Sequence, residues 1–125
     1  MSAFRLLIID DEAVIRDGFK RFLSIKLPEI NVITAEDGNK GLQLAQLEKP
    51  DLILLDLSMP EMTGFEVLTQ MAFYSIQIPV IVMTAFDTEP NQNMIRITTR
   101  SDDIKILRKP VNLDELATLI AQYMK

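Results

Sequence analysis

The sequence predicts an α/β fold: a parallel sheet of five strands, doubly wound, with helices on both faces. Apolar runs of strand length alternate with longer stretches of helical period along the whole chain. Two of the runs, Leu6 to Ile9 and Leu52 to Leu55, are continuously apolar, as in strands covered on both sides. Size agrees, because 125 residues suit a single domain (1–125) that buries enough surface to fold without covalent staples.

The elements follow in order. Arg5 to Ile9 is the first strand. Ala13 to Lys26 is an amphipathic helix, with Val14, Gly18, Phe19, Phe22 and Leu23 spaced for its inner face. Pro28 closes it, and Ile30 to Ala35 makes a second strand of β-branched residues. Asp37-Gly38 is a turn signal before a short helix over Gly41 to Gln46, which Pro50 ends. Leu52 to Leu55 is the third strand and runs directly into Asp56. A loop with Pro60 and Gly64 precedes a helix of about Phe65 to Phe73, whose inner face takes Phe65, Leu68, Met71 and Ala72. Pro79 to Thr84 and Ile104 to Arg108 are strands four and five. Between them, Pro90, Asn91, Asn93, Thr98 and Thr99 are poor helix formers, so the fourth helix is expected to be irregular or shortened. The last helix opens at Asn112 with Glu115 three residues on, a capping box, and turns Leu113, Leu116, Ala117 and Ile120 inward.

Composition removes whole classes of chemistry. With no cysteine there is no disulfide, thiol nucleophile or cysteine-ligated metal, and with no histidine there is no Ser-His-Asp triad or imidazole cage. Catalysis or metal binding has to rest on oxygen ligands, lysine, arginine or hydroxyls. Thirteen basic against 18 acidic residues give a net charge of -5, which speaks against direct nucleic-acid binding. The apolar runs are too short to span a bilayer, and the first residues do not resemble a signal peptide, so no membrane insertion and a cytoplasmic location are expected.

In an open parallel sheet, ligands collect at the carboxyl ends of the strands, near the switch in strand order. Here those ends carry Asp10-Asp11-Glu12, Asp56, Thr84 and Lys109-Pro110. Two carboxylates about 5 Å apart at an effective dielectric of 20 repel by roughly 3 kcal/mol. Either one carboxyl is protonated or a cation sits among them, and a hard divalent ion such as Mg²⁺ suits an all-oxygen set. The plain alternative is that the acids cap the first helix, where its dipole favours them. Asp56 on the adjacent inner strand and Lys109 opposite tip the balance to a metal site. Lys109 either neutralises the carboxylates or binds an anion on them, and its bond to Pro110 is a candidate cis peptide.

These residues resemble a known family. Asp10-Asp11-Glu12, the run Asp56-Leu57-Ser58-Met59-Pro60-Glu61-Met62-Thr63-Gly64, Thr84-Ala85 and Lys109-Pro110 look like the receiver (CheY-like) domain of two-component response regulators. The similarity covers essentially the whole chain. It implies a flavodoxin-like sheet of order 2-1-3-4-5 and a phosphorylation switch. Asp56 would accept a phosphoryl group from the histidine of a sensor kinase or phosphotransfer protein. Asp11, Asp56 and the Ser58 backbone carbonyl would bind Mg²⁺, with Asp10 acting through a metal-bound water. Thr84, the Ala85 amide and Lys109 would hold the phosphoryl oxygens. The product would signal to a downstream protein or an output domain, and catalysis would be limited to the domain's own phosphorylation and dephosphorylation.

The sequence departs from the family's pattern in three places. Ile106 stands where the family usually has Tyr or Phe as the switch residue. Thr84 and Lys109 lie 25 residues apart, slightly more than usual, and the segment Thr98 to Asp103 replaces a small Gly-Ala turn. Ser58 and Phe86 occupy the two positions that modulate phosphoryl lifetime, and a bulky Phe86 is expected to slow dephosphorylation by shielding the acyl phosphate. Ile106 and the altered fourth helix favour an alternative, a pseudo-receiver working without phosphorylation, which the intact acidic pocket opposes. A haloacid-dehalogenase-like phosphatase needs a general acid two residues after its nucleophile, where Ser58 stands. A flavodoxin-like cofactor binder needs a Ser/Thr-rich phosphate loop in place of Asp10-Asp11-Glu12.

Overall fold

Runs of Leu, Ile and Val with no polar interruption can only be satisfied between two layers, and the sheet is built from them. The computed structural model describes residues 3–59, 62–85 and 104–125. In chain order these form β1 (Phe4–Ile9), α1 (Ala13–Lys26), β2 (Ile30–Ala35), α2 (Gly38–Glu48), β3 (Leu52–Asp56), α3 (Gly64–Phe73), β4 (Val80–Thr84), β5 (Ile104–Arg108) and α4 (Leu113–Tyr123). All pairings are parallel and the sheet order is β2-β1-β3-β4-β5, the order that the resemblance implies. The expected irregular helix falls in 86–103, outside the described residues.

Strand alternation sorts the core into two halves. Leu7, Ile9, Ile53, Leu55 and Val82 face Val67, Leu68 and Met71 of α3 and Ala45 of α2. Leu6, Ile8, Leu54, Ile81 and Met83 face Phe19 and Leu23 of α1 and Leu116, Ala117 and Ile120 of α4. The α2 layer approaches closely because Gly41 has no side chain: a Cβ there would lie 2.5 Å from Ile9 Cδ1. Side-chain caps start three helices, with Asp37, Thr63 and Asn112 accepting from the amides of Lys40, Glu66 and Glu115.

Two predicted helix faces are rotated in the structure. Val14 is 81% exposed and Gly18 is also outside; the inner face of α1 runs Ile15, Phe19, Phe22 and Leu23. Positions 15, 19, 22 and 23 fall on one stripe at 100° per residue, and Val14 lies beyond it. In α3 the buried set is Val67, Leu68 and Met71, and Ala72 is exposed. α2 is longer than the expected 41–46, because the Asp37 cap starts it at Gly38 despite the weak propensity of Gly38 and Asn39.

The α2 C-cap is Lys49, with φ 46° in the left-handed region, where a Cβ is disfavoured. Lys49→Gly is expected to raise the unfolding free energy by about 0.5–1 kcal/mol, the relief of that backbone conformation exceeding the added entropy of the unfolded chain. Denaturant titration checks this, and an unchanged or lowered midpoint contradicts it.

Candidate functional site

β1 and β3 are neighbours whose crossovers lead to opposite sides, so a crevice opens beyond their carboxyl ends. Asp10 follows the last residue of β1 and Asp56 is the last residue of β3. Asp56 pairs with Met83 and Thr84 with Arg108, which brings Thr84 and Lys109 to the same edge. The Lys109 amide donates to the Thr84 carbonyl at 2.9 Å, and the Lys109–Pro110 peptide is cis. Ala85, directly after β4, is exposed.

Burial is uneven across the acids. Asp10 and Asp56 are buried, at 0% and 1% exposure, whereas Asp11 is open to solvent. One carboxylate oxygen from each of the three lies within 4.8 Å of the others. Asp56 Oδ1 is held twice, by the Lys109 ammonium at 3.1 Å and by the Ser58 amide at 3.1 Å. Asp10 Oδ1 accepts from the Glu12 amide at 2.9 Å. The second oxygens of both, Asp10 Oδ2 and Asp56 Oδ2, are buried without a hydrogen-bond partner among the described residues. A buried, unpartnered carboxylate oxygen is costly. Two of them beside the exposed Asp11 carboxylate form an all-oxygen donor set that suits a hard divalent cation. The α1 N-cap, Glu12, makes no side-chain cap bond, and its amide engages Asp10 Oδ1 alone, so capping leaves Asp10 Oδ2 and Asp56 Oδ2 unaccounted for.

The neighbourhood perturbs one titration clearly. Burial pushes the Asp10 carboxyl up to about 6, helped by the Asp56 and Asp11 charges and opposed by the Glu12 amide and Lys109. Lys109 is a quarter exposed and so reaches both the buried Asp56 and the solvent.

Asp10, Asp11, Asp56 and Lys109 are drawn together, and Thr84 and Ala85 stand at the same edge. Ser58 engages Asp56 through its amide, a contact that strand-end reasoning did not supply. Ile106 is half-buried, packed on the core half that faces α2 and α3. Phe86 lies outside the described residues. Two contributors were missed. A Cβ on Gly64 would sit 2.6 Å from the Asp56 carbonyl and from Leu57 Cα, so only glycine lets the start of α3 lie against the end of β3. Arg16 Nη1 donates to the Asp10 carbonyl at 2.8 Å. Gly64 closes the Asp56–Gly64 run that the resemblance rests on, although its close approach to β3 was not read from it; for Arg16 the only sequence signal is its distance from Asp10.

A raised carboxyl has a definite sign in stability. The fold binds the Asp10 proton more tightly than the unfolded chain, so its contribution is fully present below 3.8 and is lost as pH rises through about 6. Asp10→Asn keeps the oxygen that accepts from Glu12 and removes the charge. In metal-free protein it is expected to stabilise the fold at pH 7.5 by roughly 1–3 kcal/mol, a gain that shrinks as pH falls below 6. Thermal unfolding of both proteins across pH 4–8 measures this. A pH-independent difference contradicts the assignment.

Comparisons with known proteins agree with this geometry. The family model described as "Response regulator receiver domain" matches residues 6–121. The response regulator MprA of Mycolicibacterium vanbaalenii is 33% identical over 112 residues, 90% of this chain and 46% of the relative. MprA of Mycobacterium leprae is 31% identical over 121 residues, 97% of this chain and 51% of the relative. The chain thus spans about half the length of these curated relatives. Among solved structures, Vibrio cholerae chemotaxis protein CheY4 superposes with a TM-score of 0.85 at 26% identity, covering 98% of this chain and 99% of that one. A CheY-like receiver domain protein from Methanospirillum hungatei gives 0.83 at 27% identity, covering 97% and 93%. With its sheet order, its acidic crevice and its sequence in agreement, the chain belongs to the response regulator receiver domain family.

Proposed function

We propose that residues 1–125 act as one phospho-accepting receiver unit, with Asp56 as acceptor. The observation that carries this reading is the asymmetry of the Asp56 carboxylate: Oδ1 is tied to Lys109 and Ser58, and Oδ2 has no partner among the described residues. That leaves one oxygen fixed and one available as nucleophile. Asp56 Oδ2 attacks the phosphorus of a phosphohistidine on a sensor kinase or phosphotransfer protein; the O–P bond forms, the N–P bond breaks, and the imidazole nitrogen keeps the electron pair and takes up a proton. Lys109 then shifts from the carboxylate to a phosphoryl oxygen, and Thr84 and the Ala85 amide hold another. Such positioning and charge neutralisation provide most of the catalysis in phosphoryl transfer.

Asp11, Asp56 and the Ser58 carbonyl would hold Mg²⁺, with Asp10 acting through water. When bound, the ion neutralises charge shared between the carboxylates and the incoming phosphoryl group. Catalysis is confined to the domain's own phosphorylation and dephosphorylation, and Phe86 slows the latter. The message passes to a downstream protein or an output domain, in the cytoplasm, without direct nucleic-acid contact. Ile106 lacks the aromatic ring of the usual switch position, and this favours a second reading, a pseudo-receiver that signals without phosphate.

Intact-mass measurement after incubation with a small acyl phosphate and Mg²⁺ separates the two. The expected result is a gain of one phosphoryl group in wild type, none in Asp56→Asn and none with chelator. Wild type that gains no phosphoryl group from either the acyl phosphate or a phosphorylated histidine donor contradicts the proposal.

A further inference from the structure

The Asp10 carbonyl is the point at which β1 ends and the acidic turn begins. Its surroundings are specific. The Asp10 amide donates to the Ala35 carbonyl at 3.2 Å, continuing the β1–β2 ladder by one residue. The Asp10 carbonyl accepts from Arg16 Nη1 at 2.8 Å, in a half-buried setting. Arg16 is anchored in turn, since its amide donates to the Glu12 carbonyl at 3.1 Å. The guanidinium thus spans six residues, from the second turn of α1 back to the strand end, and closes a loop around Asp11.

Three carboxylates within 4.8 Å repel one another. Asp56 is fixed by Lys109 and Ser58, and it terminates a central strand. Asp11 is exposed and has the freedom to swing away. Residues 10–12 are kept turned toward Asp56 by the Glu12 amide on Asp10 Oδ1 within the turn, and by a backbone held by Ala35 on one side and Arg16 on the other. We propose that Arg16 is a positioning residue for cation binding: its hydrogen bond to the Asp10 carbonyl holds the 10–12 turn so that Asp10 and Asp11 face Asp56. This rests on the receiver reading above and adds to it a residue that contacts neither the ion nor the phosphoryl group. Groups that orient metal ligands in this way commonly change affinity by about 10–100-fold when removed.

The sign of the effect distinguishes positioning from charge. As a cation near the acids, Arg16 repels Mg²⁺, so losing its charge alone would tighten binding. As a clamp, it supports binding, so losing its donor would weaken it. Calorimetric titration of Mg²⁺ into wild type, Arg16→Met, Arg16→Lys and Arg16→Gln, with thermal unfolding of each, reads both. The expected result is an affinity about tenfold weaker in Arg16→Met, and recovered in Arg16→Lys, because only one N–H is used. Arg16→Gln, whose amide nitrogen ends two atoms short of Arg16 Nη1 and so falls short of the Asp10 carbonyl, supplies the neutral comparison should the methionine variant fold poorly, and it too is expected to bind more weakly. Tighter binding in both neutral variants overturns the proposal, as does unchanged affinity at a lowered melting temperature. If wild type itself takes up no Mg²⁺, the receiver reading falls and this inference with it; if wild type binds and the variants match it, only the role of Arg16 is lost.

Discussion

Asp10, Asp11 and Asp56 bring three carboxylates within 4.8 Å of one another at the edge of a sheet, two of them shut away from water. Like charges so placed drive themselves apart unless the chain around them is rigid or a counter-charge arrives. Among the described residues, the cation paired with these carboxylates is Lys109, which reaches one oxygen of Asp56. The remaining buried oxygens, beside Asp11, form an all-oxygen set suited to a hard divalent cation.

The rest of the fold serves to hold that arrangement. Asp10 and Asp56 end adjacent central strands whose runs Leu6 to Ile9 and Leu52 to Leu55 are fully buried, so neither strand can slide without disturbing the core. A one-residue slip would exchange the two core halves, because successive residues of β1 and β3 alternate between them. Gly64 lets α3 begin directly against the Asp56 backbone, and Gly41 lets α2 settle on Ile9 just before Asp10. Both close approaches brace the strand ends that carry the acids.

Much of this was legible in the sequence, for physical reasons that also mark where reading stops. Continuous apolar runs locate the strands, since only a strand buried on both faces tolerates Leu6 to Ile9 and Leu52 to Leu55. Acids, a threonine and a lysine placed directly after such runs must share one edge once the strands are parallel, which brought Asp10, Asp56, Thr84 and Lys109 into view. Helix faces were harder. Val14 was counted inward because it is apolar, although α1 turns toward the sheet around Phe19 and leaves Val14 outside. Which carboxylate oxygen remains free, and the reach of Arg16 to a backbone carbonyl, depend on side-chain directions in space, and residue type does not encode them.

Repulsion among Asp10, Asp11 and Asp56 limits the stability of the protein, and the proposed divalent cation would relieve it. The most direct measurement is thermal unfolding at neutral pH with Mg²⁺, against a sodium salt of equal ionic strength. A cation that binds the native pocket alone raises the melting temperature progressively with its concentration. That rise is expected for wild type, and it should nearly disappear when Asp56 and Asp11 are both changed to Asn. Equal melting temperatures in the two salts would contradict it.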